Sequence, residues 1–262
     1  MLQDILKARE ILWLLVKREL RARYAGSNFG AFWNLIHPIV LVLIYVAIFS
    51  KVMAAKIGVD GSRFDYMIHL TAGIIPWLMF AEIITRCSSV LLENANLLKK
   101  MALPEEVLFL SIFLTSFFVY GISMSALIIL LLLVGAPITP VVLFSFPILS
   151  ALGLSALGAG MILSVMNLLV RDVGQIVQIA LQLGFWSLPI VYFPSILGEK
   201  MQAIIALNPL RGFLALNQYL FGSPDAQFNP DTYWMLVLLP FAAMVMGMRF
   251  LRAHRAEILD EL

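Results

Sequence analysis

Few residues of this chain combine a type and a spacing that could do chemistry inside an apolar segment. Glu82 and Arg86 lie four positions apart in an otherwise apolar run, and side chains at that spacing meet on one face of a helix. A carboxylate and a guanidinium placed there either neutralise each other near a membrane surface or bind a charged substrate. We expect the self-neutralising pair, and the substrate site is the alternative.

Three amides form a second group. Gln175, Gln178 and Gln182 follow the spacing i, i+3, i+7, which places them on one face of a helix. An amide that faces lipid is costly because lipid offers no hydrogen-bond partner. These side chains therefore either bond to a neighbouring helix or line a water-filled path.

The motifs of enzymes and coupled transporters are missing from the sequence. It contains no Gly-x-x-x-x-Gly-Lys-Ser/Thr phosphate loop and no nucleophile motif, and its three histidines form no metal-ligand cluster. It also lacks the series of intramembrane acids that ion-coupled transporters use. We expect no catalytic residue, cofactor or metal on this chain.

Long apolar runs must position these residues. Between Val107 and Gly198 the only charged residues are Arg171 and Asp172, and 61% of the chain is hydrophobic. Because one crossing takes about 20 apolar residues, the sequence predicts an all-α integral membrane protein with six transmembrane helices in a single domain, 1–262. The predicted spans are Ala31–Met53, Ile68–Leu92, Val107–Val134, Val141–Val170, Val173–Phe193 and Thr232–Leu251.

Lysine and arginine are unevenly divided between the two sides of these spans. One side holds Lys7, Arg9, Lys17, Arg18, Arg21, Arg23, Lys99, Lys100, Arg171, Arg249, Arg252 and Arg255, and the other holds Lys51, Lys56, Arg63, Lys200 and Arg211. The positive-inside rule places the richer side, with both termini, in the cytoplasm. The basic residues are scattered along the membrane edges, so we expect no nucleic-acid partner.

The first 25 residues predict an amphipathic helix. Leu12, Trp13, Val16 and Leu20 share one face and basic residues lie opposite, a pattern typical of a helix in the membrane interface. Such a helix serves either as a topology-setting anchor or as a cuff that guides an amphiphilic substrate or transmits motion.

Two further segments interrupt the spans. Residues 93–106 predict a short cytoplasmic helix closed by Pro104, which is either a connector or a docking lever for a soluble subunit. Residues 194–231 hold two apolar stretches too short to cross, on either side of Asn208-Pro209. They predict an external re-entrant helical hairpin, which acts as a gate or fills a packing gap.

Two smaller features concern the fourth and fifth spans. Ala151, Ser155 and Ala159 follow a small-xxx-small pattern that favours close helix contact, within the chain or across a dimer. Asp172 is placed to cap the fifth span, whose N-terminal end favours an acidic residue.

Several motifs in a fixed order resemble one family. They are Arg21–Gly30 (RARYAGSNFG), Gly73–Trp77 (GIIPW), Leu98–Pro104 (LKKMALP), Arg171-Asp172, Pro189–Tyr192 (PIVY) and Asn208-Pro209. Together they are similar to the type-2 ABC exporter permeases for polysaccharides, most of all to the Wzm-type O-antigen permeases. Phe29 stands where that family's signature has leucine.

The resemblance implies a mechanism. Two copies of this chain would pair around a channel in the bacterial inner membrane and dock two copies of a soluble ABC ATPase, which binds ATP and Mg²⁺. The substrate would be a glycan on undecaprenyl diphosphate, exported from the cytoplasm to the outer face.

The resemblance also implies roles for particular residues. The contacts with the ATPase would be Asn96, Leu98, Lys99, Lys100, Pro104, Glu105, Arg171 and Asp172. The lipid diphosphate would first meet Arg21, Arg23 and Tyr24, and Asn208 and Pro209 would belong to an external gate. The translocation path would be lined by Tyr45, Phe49, Trp77, Phe80, Phe117, Gln178, Gln182, Trp186 and Tyr192, although aromatic residues at helix ends equally form an interfacial belt.

Other functions remain open at this point. Capsule and teichoic-acid permeases are near relatives of the same family. A secondary transporter or channel would move its substrate without an ATPase, and a membrane enzyme of lipid-linked glycan synthesis would form product by itself.

Overall fold

A computed structural model describes residues 2–24, 30–33, 36, 39–40, 43–44, 63–100, 104–133, 135–136, 138–223, 226 and 233–261. Most of the predicted first span, Ala31–Met53, lies outside these ranges, as do Tyr45 and Phe49. Every regular element within the described ranges is helical.

The α-helices are α1 (Leu2–Tyr24), α2 (Arg63–Glu93), α3 (Ala95–Lys100), α4 (Glu106–Leu133), α5 (Ser145–Leu169), α6 (Val173–Ser187), α7 (Glu199–Ala206), α8 (Leu210–Leu220), α9 (Tyr233–Ala253) and α10 (Arg255–Glu261). Short 3-10 turns lie at Gly30–Phe32, Pro140–Phe144 and Pro194–Ile196.

Four stretches of helix are long and apolar enough to cross a membrane. They are Asp65–Glu93, Glu106–Leu133, Pro140–Leu169 and Trp234–Ala253. They coincide with the second, third, fourth and sixth predicted spans, in agreement with an all-α membrane architecture.

The fifth predicted span differs from the observed helix. We expected it to reach Phe193, but α6 ends at Ser187 after 15 residues. The cause is Pro189, which disfavours helical geometry in the residue before it; Leu188 is accordingly extended, with φ −100° and ψ 143°. The chain then turns inward, and Leu188, Ile190, Val191 and Phe193 are buried.

The N-terminal helix packs through a face that differs partly from the predicted one. Leu15 and Val16 of α1 are buried, whereas Trp13 and Leu14 are exposed. Trp13 therefore does not share a buried face with Val16. The helix keeps an outward apolar strip of Trp13 and Leu14.

Helix α5 lies at the centre of the bundle because small residues let other helices approach its backbone. A Cβ atom on Gly158 would overlap the backbone of Ala243 in α9, and one on Gly247 would overlap the Gly158 carbonyl oxygen. On another side of α5, a Cβ on Gly160 would overlap the Cys87 Cβ in α2. Ser155 is buried, and Ala151 and Ala159 pack against the core of the chain.

A proline inside α2 explains how α8 is attached. Pro76 has no backbone N–H, so the carbonyl of Ala72, four residues earlier, lacks its helical partner. Asn217 of α8 donates its Nδ2 hydrogen to that carbonyl at 2.6 Å. Gln218 of α8 donates to the Pro189 carbonyl at 2.9 Å. The first bond holds α8 against α2, and the second holds α8 against the turn that follows α6.

This attachment predicts that the effect of a substitution at position 217 on stability depends on whether position 76 is proline. Replacing Asn217 with Leu leaves the Ala72 carbonyl unpaired and should cost about 1 to 3 kcal/mol of unfolding free energy. In a Pro76→Ala background the amide of position 76 can bond to Ala72, so the same change should cost less.

A double-mutant cycle on the purified chain, followed by thermal unfolding, measures this coupling. Asn96→Leu, at an exposed position, is the control and should have little effect. Equal losses from Asn217→Leu in both backgrounds would contradict this origin of the contact.

Candidate functional site

Four charged side chains meet between α1 and α2, and we refer to Glu19, Arg23, Glu82 and Arg86 as the charge cluster. Arg23 forms an ion pair with Glu82, and Arg86 forms one with Glu19. Arg86 Nη1 also lies 3.7 Å from Glu82 Oε1. The predicted pair of Glu82 and Arg86 is therefore half of a larger network.

The sequence explains how two helices build the charge cluster. Glu82 and Arg86 are four residues apart on α2, and Glu19 and Arg23 are four residues apart on α1, so each helix presents an acid and a base on one face. The side chains are only 19–25% exposed. Two carboxylates and two guanidiniums balance to zero net charge, which lowers the cost of placing them at a membrane edge.

A third helix contributes to the charge cluster. The Ser116 hydroxyl of α4 donates a hydrogen bond to Glu82 Oε1 at 3.0 Å. Glu82 is thus contacted by three groups: Arg23 of α1, Arg86 of its own helix α2, and Ser116 of α4.

The charge cluster borders an open cleft of about 660 Å³ between α2, α4 and α6. Glu82, Arg86, Thr85 and Tyr120 are among its polar lining residues, and Ile74, Trp77, Leu78, Ala81, Gln178, Ile179, Leu181, Gln182 and Phe185 complete its wall. One part of the cleft is therefore charged and another is aromatic.

The aromatic part is built around Trp77. Its ring stacks on Phe80 with a centroid distance of 5.7 Å and lies 6.3 Å from the ring of Phe185. Gly184 of α6 permits this approach, since a Cβ there would lie 2.7 Å from the Trp77 ring. The ring is buried and held in place by its neighbours.

The structure brings some of the predicted path residues together. Trp77, Gln178 and Gln182 line the cleft, and Phe80 stacks behind Trp77. Phe117 stacks on Phe113 within α4, with centroids 6.0 Å apart, and does not line the cleft.

The remaining described path residues lie at the end of α6. Trp186 is exposed, and the Tyr192 hydroxyl donates a hydrogen bond to the Trp186 carbonyl at 3.2 Å. Neither residue lines the cleft.

The three glutamines of α6 differ in their contacts. Gln178 donates to the Thr85 hydroxyl of α2 at 3.2 Å, which is the helix-to-helix hydrogen bond that one of our two interpretations predicted. Gln175 and Gln182 are exposed. So are Ile176, Ile179 and Leu183, which gives α6 a mixed polar and apolar outer face.

The sequence analysis did not predict several members of the site, among them Glu19, Thr85, Ser116, Tyr120 and Phe185. A charge in a membrane-edge helix was the available signal for Glu19, whereas the others resemble ordinary helix residues. Within the described ranges no group of three or more metal-ligating side chains is placed to hold a metal ion.

Most of the predicted ATPase-contact residues lie in α3 and just after it. Asn96, Lys99 and Pro104 are exposed, whereas Leu98 is buried. The side chain of Lys100 lies outside the described part of the chain. Arg18 of α1 donates to Asn94 Oδ1 at 3.0 Å, which ties α1 to the start of α3.

The C-terminal helices α9 and α10 contact the residues at the start of α4. Buried Glu105 accepts a hydrogen bond from Arg255 Nε at 3.1 Å, and Glu106 accepts one from Arg252 Nε at 3.3 Å. Glu105 is therefore paired within the chain. Of the predicted contacts here, the exposed ones are Asn96, Lys99 and Pro104.

Two other predicted groups lie in α1 and in the turn between α7 and α8. Arg21 is exposed and Arg23 belongs to the charge cluster, while the side chain of Tyr24 is not among those described. Asn208 Oδ1 accepts the Leu210 N–H at 3.0 Å, so Asn208 and the exposed Pro209 form the turn between α7 and α8.

The predicted cap of α6 is wrong. Arg171 and Asp172 are exposed, and Asp172 occupies the cap position without any side-chain hydrogen bond to the helix. Asn167, at the end of α5, supplies the cap instead: its Oδ1 accepts the Gly174 N–H at 2.9 Å. Its Nδ2 donates to the Ser88 carbonyl at 2.9 Å, which fixes the side chain between three helices.

Comparisons with known proteins cover almost the whole chain. The profile of the ABC-2 type transporter family matches residues 10–221. Two O-antigen export system permease proteins RfbA from Klebsiella pneumoniae are 28% and 26% identical to this chain, each over 95% of both sequences. A protein of the same name from Myxococcus xanthus is 30% identical over 87% of both sequences.

The capping arrangement gives a test at the 171–172 turn. Asn167→Ala removes one cap bond and one interhelical bond and should cost about 2 kcal/mol of unfolding free energy. Asp172→Ala is the matched control and should change the unfolding free energy by less than about 0.5 kcal/mol, because the side chain bonds to nothing in the helix. Thermal unfolding of the two purified variants compares them, and a larger loss for Asp172→Ala would reverse the assignment.

Proposed function

This chain belongs to the ABC-2 type transporter family, and on that basis we propose that it is the permease subunit of an ATP-driven exporter of a lipid-linked polysaccharide of the O-antigen type. The polymer moves from the cytoplasm to the outer face of the bacterial inner membrane. The similarity to O-antigen export permeases over nearly the full length of both chains carries this proposal.

The membrane topology follows from the spans and the charges. The four long apolar helices are joined by two further spans, 31–53 and 173–193, the second made of α6 and the inward turn after it. The excess of lysine and arginine supports a cytoplasmic location for both termini. The exposed strip of Trp13 and Leu14 supports a place for α1 in the membrane interface.

Energy comes from a separate subunit. The sequence has no phosphate loop, so two copies of a soluble ABC ATPase bind ATP and Mg²⁺ and dock on a homodimer of this chain. Exposed Asn96 and Lys99, with Lys100, Pro104 and the 171–172 turn, form the docking surface. Leu98 and Glu105 support that surface from within, since both are buried.

The outer face of α6 lines the translocation path. Gln175 and Gln182 are exposed there beside Trp186, a composition that suits water, sugar or a second copy of the chain better than lipid. The exposed face of α9 holds Val237, Leu238 and Phe241 and suits lipid.

The lipid carrier and the exit occupy the two ends of this path. The diphosphate of the undecaprenyl carrier meets Arg21, Arg23 and Tyr24 at the cytoplasmic edge. The helices α7 and α8 with the Asn208-Pro209 turn form a re-entrant external gate, and their lengths of 8 and 11 residues fit a half-depth hairpin.

Two alternatives stay within reach of experiment. A capsule or teichoic-acid polymer would change the glycan and leave the mechanism unaltered. An ion-coupled secondary transporter would need no ATPase, and the paired state of Glu82 does not favour it.

Reconstitution tests the proposal. The purified chain alone in lipid vesicles should hydrolyse no ATP, and export of lipid-linked O-antigen should require both this chain and the ABC ATPase. ATP hydrolysis by the chain alone would contradict the proposal, and export without the ATPase would favour the secondary transporter.

A charge reversal locates the docking surface within the same assay. Lys99→Glu should leave ATP hydrolysis by the complex measurable and abolish export, because a reversed charge at this exposed site disturbs the contact through which the ATPase would drive the chain. Lys200→Glu, an exposed lysine on the opposite side, is the control and should export normally. Normal export by the Lys99 variant would move the docking surface elsewhere.

A further inference from the structure

We propose that Arg23 and Arg86 together bind the phosphate group of the lipid carrier, and that Glu82 is a resident counter-ion which this phosphate displaces. The inference rests on the proposed function for the identity of the substrate. It adds two residues, Arg86 and Glu82, to the phosphate site and assigns the carboxylate a role of its own.

The groups around the Glu82 carboxylate form an anion-binding site. Its carboxylate pairs with Arg23 from α1, lies 3.7 Å from Arg86 Nη1 on its own helix and accepts the Ser116 hydroxyl of α4 at 3.0 Å. Two guanidiniums and a hydroxyl are also the donors that bind phosphate oxygens. An arginine offers a planar fork that matches two phosphate oxygens, as lysine cannot.

Arg86 retains donor capacity that the described contacts do not use. Its Nη1 atom is buried, and no hydrogen-bond acceptor among the described residues reaches it. Its other terminal nitrogen pairs with Glu19. A buried donor without an acceptor is costly, so a ligand with several oxygens would gain a hydrogen bond that Glu82 does not supply.

Exchange of one anion for another avoids the main cost of such a site. Two guanidiniums left without an anion at a membrane edge would repel each other and lose solvation. With Glu82 in place the site stays neutral when empty. When a phosphate arrives, Glu82 can turn toward the water of the open cleft, because Glu82 is one of the residues that line it.

The rest of the cleft suits a sugar attached to the phosphate. The wall of the same cleft also includes Gln178, Gln182, Trp77 and Phe185. Amides bond to sugar hydroxyls and aromatic faces pack against sugar rings. A sugar joined to the phosphate would therefore lie along this wall.

Titration of a lipid anion into the complex tests the exchange. The complex of the full chain with its ATPase is placed in phosphatidylcholine nanodiscs, and a synthetic polyprenyl diphosphate is the probe. Arg23→Gln and Arg86→Gln should each weaken binding about tenfold, as expected for loss of one charge-assisted contact.

The decisive variant is Glu82→Gln. Removing the competing charge should tighten binding of the diphosphate, by about five- to tenfold, whereas a purely structural carboxylate would leave binding unchanged or weaken it. Glu199→Gln and Arg211→Gln, on the opposite side of the membrane, are the controls and should bind like the wild type.

A second pair of variants guards against misfolding. Glu82→Asp keeps the charge on a shorter side chain, so it should compete less well and give an affinity between those of the wild type and Glu82→Gln. Arg86→Lys keeps the charge without the fork and should bind several-fold more weakly at an unchanged melting temperature. Unchanged or weaker binding by folded Glu82→Gln overturns the inference. If that variant is unfolded, wild-type binding by Arg86→Lys overturns it.

Other phosphates separate the sources of the ligand. Nanodiscs with phosphatidylglycerol should leave diphosphate binding unchanged, and full competition would show an ordinary headgroup site and overturn assignment to the carrier. Should the wild type export O-antigen while Glu82→Gln binds as before, the inference alone fails. Should the wild type neither bind the diphosphate nor export, the proposed function fails with it.

Discussion

One constraint organises this protein: a polar group at membrane depth must find its partner within the protein or in a water-filled path. The Ala72 carbonyl, freed by Pro76, is bonded by Asn217 of a different helix. Glu82 and Arg86, charged residues in a spanning helix, are paired with Arg23 and Glu19 from the N-terminal helix. Helices are joined at these points because the alternative is an unpaired polar group in lipid.

Bonds of this kind also connect the proposed docking surface with the proposed phosphate site. The last turns of α1 contact the start of α3 through Arg18 and Asn94, and contact α2 through the charge cluster. The proposed docking surface and the proposed phosphate site therefore share one helix as a neighbour. Arg255 and Arg252 hold the start of α4 on the other side. A displacement of α3 would thus move α1 and α4 as well.

Much of the architecture could be predicted from residue order, because the length of an apolar run decides whether it can cross a membrane. Four long helices match predicted spans within a few residues. The spacing of Glu82 and Arg86 also predicted their proximity. The side chain of another helix that completes each bond could not be predicted. Asp172 stands at the cap position, but its backbone is helical, with φ −68° and ψ −20°, whereas a capping residue is typically extended. The Gly174 N–H is bonded by Asn167 of α5 instead. Arg23 and Glu19 likewise reach α2 from a different helix, α1.

In the arrangement we propose, the polar residues of α6 face water or protein, whereas the outer face of α9 faces lipid. Solvent access measures this directly, with single cysteines at Gln182 and at Leu238 in a Cys87→Ser chain, treated in membranes with a charged, water-soluble thiol reagent. We predict that the cysteine at position 182 reacts and that the one at position 238, on the apolar outer face of α9, does not. Reaction at position 238 with none at position 182 would contradict the claim.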